Sequence, residues 1–401
     1  MVNYPRDWEE TVIGQIGIIN MCKRIFSFQT IKNGKIPFYK IGTFGKKADT
    51  YISEDLFNLY KKMYPYPGEG DTLISASGSI GKVVIYDGEK SYYQDSNIIW
   101  INTNSKKIDK RFFYYYLLSF PWKQTEGTTI KRLYNNIILK TQINLPSMKE
   151  QKAIAKTLMA FDEHIENLEE LIAKKKMLRD GAVEDLMSGK TRLDGFEGEW
   201  KNVQFQNVIT PKARIGWQGL KKDEYLKKGF AYLISGTDFE NGSISLNEIS
   251  YVNKERYSMD ANIQVKEGDV LVTKDGTIGK IARVPELNKK ATLNSGVFVF
   301  RTNHLLKECF LYWILRSSIF AKFIDDLSAG STIKHLYQKD LKNFSFTMPV
   351  EIKEQKAIAD ILTAMDEEIE DLIQEKEKIE KIKAGAMEDL LTGKIRLLKE
   401  A

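Results

Sequence analysis

The chain has 401 residues, with 60 Lys+Arg against 54 Asp+Glu, for a formal charge of +6. Hydrophobic residues make up 42% and charged residues 28%, which excludes a disordered chain and leaves room for two or three domains. The strongest apolar run, Phe112 to Trp122, is too short for a bilayer, and no basic start precedes an apolar stretch. Two cysteines, Cys22 and Cys309, are too few for a disulfide framework or a zinc site, so a reducing, cytoplasmic setting without an export signal is expected.

Residues 1–146 open with a tryptophan, Trp8, and read as a mixed α/β domain with β dominant. Short apolar runs bounded by Gly, Asp and Asn predict strands at 72–76, 82–86 and 98–102. An aromatic-rich helix follows at 111–120, its rings expected in the core. Between two of the strands lies Gly78-Ser79-Ile80-Gly81-Lys82, a tight turn whose amides, with Lys82, suit a phosphate. A plain hairpin turn with a solvated lysine is the open alternative. Further on, Gly127-Thr128-Thr129-Ile130-Lys131 with Arg132 supplies short hydroxyls, a bare amide and bases for backbone contact.

Residues 147–192 predict a long helix. Ile154, Leu158, Phe161, Ile165, Leu168 and Ile172 step by four and three, a heptad seam, with Pro146 before the helix and Gly189 after it. About 40 residues at 1.5 Å each give a rod of roughly 60 Å.

Residues 193–349 repeat the first domain. Trp200 matches Trp8, Gly276–Lys280 matches Gly78–Lys82, and Gly330-Ser331-Thr332-Ile333-Lys334 matches Gly127–Lys131. Strands are expected at 270–273, 280–284 and 296–300, and the aromatic helix at 308–320. Residues 350–401 repeat the long helix: Lys149–Leu193 aligns without a gap on Lys353–Leu397, with 24 of 45 positions identical. The second seam runs through Ile358, Leu362, Met365, Ile369, Leu372 and Ile379. Two stripes of equal length invite antiparallel pairing, which would make the molecule pseudo-twofold symmetric; the alternative packs each stripe on its own neighbouring domain. The expected class is α+β.

Charge divides by region. Residues 1–148 carry +7 and 193–352 carry +3, whereas the helical segments 149–192 and 353–400 carry zero and −4. Two basic modules spaced by a neutral rod suggest two footprints on one polyanion. The copies diverge most at 29–53 and 211–253, which include Lys46 and Lys47 in one and Arg214, Lys221 and Lys222 in the other. Such loops are the expected source of base contacts, with Lys82, Lys131, Arg132, Lys280 and Lys334 placed on the DNA backbone.

Catalytic patterns are missing from the sequence. No G-x-x-x-x-G-K-[ST] loop occurs, nor the Asn- or Asp-Pro-Pro-aromatic clamp of amino-methyltransferases, nor a Pro-Asp with an acidic-x-Lys nuclease triplet. His164, His304 and His335 are scattered. The chain is expected to catalyse nothing by itself, and no metal ligand set is expected.

The sequence resembles the specificity subunit of a type I restriction–modification enzyme. The residues that carry the resemblance are the helix starts Glu150–Ala155 and Glu354–Ala359 (both EQKAIA), the helix ends Leu186–Leu193 and Leu390–Leu397, and the openings at Trp8 and Trp200. The resemblance implies two target-recognition domains, each reading one half of a split, asymmetric duplex site, and an antiparallel coiled coil that fixes the gap. It also implies two modification (methyltransferase) subunits and ATP-dependent restriction subunits as partners. S-adenosylmethionine, ATP and magnesium would be held by those subunits, and no cofactor by this chain. Two readings compete: a coiled-coil protein-interaction scaffold without DNA binding, and an enzyme with unrecognised motifs.

Overall fold

The structure, a computed structural model, describes residues 4–122, 132–215, 219–328 and 335–397. The chain divides into two units, residues 1–169 with 374–401, and residues 170–373. The division falls inside the two long helices, Met148–Met187 and Ile352–Leu391, so each unit holds half of each helix.

In the first unit, Ile98–Thr103 is the hub. It pairs antiparallel with Gly17–Met21 on one side and Thr72–Ser75 on the other, and Val83–Ile85 completes the four-stranded sheet. Thr72–Ser75 is buried at every position, because helix packs on one sheet face and a second four-stranded sheet on the other. That second sheet runs Thr30–Ile31, Tyr51–Ile52, Ile36–Tyr39, Tyr92–Tyr93, the last pair being parallel. A further pair, Glu9–Val12 with Gln142–Leu145, leads directly into the first long helix. The aromatic helix Lys110–Ser119 is started by Asp109, whose carboxylate accepts from the Arg111 and Phe112 amides at 3.0 Å. It buries Phe112, Phe113, Tyr115, Tyr116 and Leu117, as its sequence leads one to expect.

The second unit repeats this order. Its sheets run Ile209–Ala213, Val297–Thr302, Val270–Thr273, Ile281–Arg283, and Ser250–Val252, Ala231–Ile234, Ala291–Leu293, Gln264–Val265. The expected strands are all present. The aromatic helix differs from expectation: it is two helices, Glu308–Arg316 and Ser318–Ser328. The break sits at Ser317, buried, whose hydroxyl donates to the Ile314 carbonyl, and the Glu184 carboxylate accepts from the Ser318 amide at 2.8 Å to start the next helix.

The long helices run antiparallel within each unit. In the first, Asp162 pairs with Lys383, and Glu169 with Lys376 at 2.7 Å. In the second, Lys175 pairs with Glu368 at 2.5 Å, and Arg179 with Asp366. As one number rises the other falls. Of the seam residues, Leu168, Ile172 and Ile369 are buried between the helices' polar flanks, and Phe161, Ile165, Met365, Leu372 and Ile379 are half-buried. The seam reading needs one correction. Ile154 and Leu158 lie in the first unit's core with Phe112 and Ile143, and Ile358 and Leu362 lie in the second's with Phe310 and Phe346. The start of each stripe is domain core, because the helix emerges from a strand already packed there.

The repeated helix signatures close each unit. Glu150, fully buried, accepts two hydrogen bonds from Arg396, and Glu354 accepts two from Arg192. The neighbouring glutamines tie the helix starts to the loop ahead of the aromatic helix: Gln151 accepts from the Asp109 amide and donates to the Pro146 carbonyl, and Gln355 accepts from Lys307 and donates to Pro349. Gly189 and Gly393, at φ +71° and +70°, end the helices against Trp200 and Trp8, where a side chain would meet the ring.

Candidate nucleic-acid interface

Lys46 and Lys47 are exposed on the turn that follows buried Phe44. Lys82 sits beneath them. Its ammonium donates to the Phe44 carbonyl at 2.5 Å and the Gly45 carbonyl at 3.4 Å, so it braces the loop that carries Lys46 and Lys47.

The turn around Lys82 is a closed hairpin turn. The Lys82 amide donates to the Ser75 hydroxyl at 2.8 Å, and the Gly81 amide to the Ser75 carbonyl at 2.9 Å. The second copy repeats this, Lys280 N donating to Thr273 Oγ1 at 2.9 Å and Gly279 N to the Thr273 carbonyl at 3.0 Å. Two of the amides expected to face a phosphate are therefore already bonded in each copy. Glycine is needed here because φ is +63° and +79° at Gly78 and Gly81, and +72° and +81° at Gly276 and Gly279. Lys280 differs from Lys82 in having an exposed side chain.

Arg132 is half-buried and donates to the Ser96 carbonyl at 2.7 Å, holding a bridge to Ser77. His335 occupies the equivalent place, bridged to Asp275 with Nδ1 and Oδ1 2.5 Å apart. Lys131 and Lys334, next to them in sequence, lie outside the described residues.

Arg214 corrects the sequence reading. It is only 2% exposed, its Nε donating to the Leu293 carbonyl at 3.0 Å, and burial followed by the nearby charge of Arg256 lowers its pKa. It holds Ile209–Ala213 against the neighbouring sheet instead of facing a ligand. Lys221 and Lys222 are exposed, on a short 3-10 turn, Lys222–Glu224, that is pinned by a 2.6 Å ion pair between Glu224 and Arg256.

What sequence reasoning passes over is the turn at Ser27–Gln29. Phe28 is 83% exposed and Phe26 50%, their rings stacked with centroids 5.8 Å apart and 9° between planes. Arg24 lies over the Phe26 ring, 5.8 Å from its centroid. Residues 11–48 contain seven basic side chains and not one acidic one, a signal that regional charge sums average away.

Comparison with known proteins decides the family. Residues 5–175 and 198–383 each match the type I restriction modification DNA specificity domain. The chain belongs to that family. The type I MjaVIII specificity subunit of Methanocaldococcus jannaschii is 28% identical over 417 residues, covering 98% of this chain and 94% of that one. A Haemophilus influenzae chain named as a type I restriction enzyme specificity subunit is 51% identical over 150 residues, 37% of this chain and 39% of its own length. Among solved structures, the type I S subunit of Mycoplasma genitalium shares the fold, with a TM-score of 0.62, 18% identity and 97% of each chain covered. A specificity chain is thus the family to which the duplicated scaffold belongs. Among the described residues no helix is long and apolar enough to cross a membrane.

Proposed function

We propose that the chain is the sequence-reading subunit of a type I restriction–modification complex. Each domain reads one half of a bipartite, asymmetric duplex site, and the paired helices set the spacer and dock two modification subunits. Those subunits supply S-adenosylmethionine-dependent methylation, and restriction subunits supply ATP- and magnesium-dependent translocation and cleavage. This chain contributes no cofactor and acts in the cytoplasm.

The observation that carries this reading is the duplication itself: two specificity domains in one chain, with +7 and +3 on the domain segments and zero and −4 on the helices. A polyanion that touches both domains and not the rod gains counterion release at both footprints. The direct test is methylome sequencing of a host carrying this gene together with a gene for a modification subunit. A split methylated motif is expected; no new motif, with a gel shift on random duplex that ignores salt, would instead favour a protein-binding scaffold.

A further inference from the structure

The same turn occurs at the same place in both domains, and what it presents differs completely. In the first, the Phe26 amide donates to Gln29 Oε1 at 2.9 Å and the Gln29 amide to the Phe26 carbonyl at 2.9 Å. In the second, the Lys221 amide donates to Glu224 Oε2 at 2.7 Å and the Glu224 amide to the Lys221 carbonyl at 3.0 Å. The fourth residue is anchored in each case to the helix that follows the paired strand. Gln29 Nε2 donates to the Tyr60 hydroxyl at 3.2 Å on Glu54–Met63, and Glu224 pairs with Arg256 at 2.6 Å on Lys254–Ser258. The next residues then join a strand edge, Thr30–Ile31 to Tyr51–Ile52 and Leu226 to Tyr251.

Phe26 and Phe28 thus stand where the second domain has Lys221 and Asp223. A rigid mount with interchangeable tips is what two readers of different half-sites require. The tip in the first domain is costly in water, because most of the Phe28 ring stays exposed and its neighbour is another exposed ring. In sequence it is flanked by Lys23, Arg24, Lys32 and Lys35, all exposed, within the acid-free stretch 11–48, and Arg24 lies 3.8 Å from Asp95. Apolar rings framed by cations match bases framed by phosphates.

Resting on the DNA-binding reading above, we propose that this turn is a base-reading element of each domain, and that Phe28 is an apolar base contact to the first half-site. Lys32 and Lys35 hold the flanking phosphates. Asp223 takes the corresponding position toward the second half-site, where a carboxylate accepts from a cytosine amino group.

The test uses the full chain assembled with its modification subunits, a duplex carrying the methylome-mapped site, and a scrambled duplex of equal length. Phe28→Ala is expected to weaken binding to the mapped duplex roughly 10-fold, the scale of a single aromatic–base interaction. It leaves the scrambled duplex and the salt slope unchanged and relaxes the methylated motif in one half only. Phe28→Trp retains most of the affinity, and Asp223→Ala relaxes the other half. Unchanged affinity for the mapped duplex in Phe28→Ala would overturn the proposal, as would loss of co-purification with the modification subunits, which would make the turn a protein contact. If the unaltered complex itself shows no salt-dependent binding to scrambled duplex, it is the DNA-binding reading that fails.

Discussion

Arg396 and Glu150, 246 residues apart in the sequence, are joined by hydrogen bonds of 2.6 and 2.8 Å, and Arg396 bonds Asp7 as well. The Glu150 and Asp7 carboxylates raise the pKa of Arg396, and its guanidinium holds the Asp7 carboxyl below the usual carboxylate range. Glu150 is buried, and Arg396 is the cation hydrogen-bonded to both of its carboxylate oxygens. Arg396→Met is expected to cost about 3–5 kcal/mol, the penalty of stranding a buried carboxylate. Arg192→Met is expected to do the same through Glu354, which is equally buried. Urea denaturation followed by fluorescence checks both, and the double replacement Arg396→Met with Glu150→Met should recover most of the loss.

Seam positions are not equivalent. Leu158 is fully buried in a domain core, so Leu158→Ala should cost about 2–5 kcal/mol. Ile165, half-buried between helices, should cost clearly less on replacement by Ala. Equal losses in thermal melts would mean that the heptad stripe is a uniform interface after all.

If the helices set the spacer, removing about four residues, one turn of ~6 Å, from both should shorten the gap between half-sites by one or two base pairs at ~3.4 Å each. The methylome of the shortened variant reads this directly. An unchanged gap would remove the ruler from the mechanism.

Cations expected on DNA should separate by role. Neutralising Lys131 and Lys334 is expected to weaken binding to every sequence and to reduce the salt slope by about 0.9 for each phosphate that goes unneutralised. Arg214→Ala should instead act through stability, by about 1–3 kcal/mol, because it leaves the Leu293 carbonyl without its donor. A binding titration beside a melt distinguishes the two.

Burial pushes the Cys22 thiol up to about 12 from 9.0. Below pH 9 the thiol is protonated folded or unfolded and has no effect on stability. Between pH 9 and 12 only the unfolded chain ionises, so stability falls as pH rises. Iodoacetamide at pH 9 should spare Cys22 in the native protein and label it after denaturation, as mass spectrometry would show.

The repeat, the long helices and the main strands are legible in the sequence because periodicity and identity reflect packing that local sequence carries. The EQKAIA signature is legible as a motif but not as a latch, since the partners of Glu150 and Gln151 lie far along the chain at Arg396 and near Asp109. The second sheet of each unit is not legible, because strands as short as Thr30–Ile31 and Tyr92–Tyr93 leave no alternation to read. Arg214 looks like a loop cation because nothing local announces burial, and the helix break at Ser317 depends on Glu184 from a distant helix. Phe28 escapes notice for the opposite reason: aromatic residues are assumed to be inside.

The order of synthesis is written into the division of the chain. Residues 170–373 form one unit from a continuous stretch, whereas the other unit combines 1–169 with 374–401. On the ribosome the second domain can therefore be finished while the first still lacks Leu390, Leu391 and Arg396, which fill its core and cap Glu150. A premature stop after residue 373 would spare the domain just made and leave the one made earliest with an open core and an unpaired buried acid, the sort of surface that quality-control proteases find.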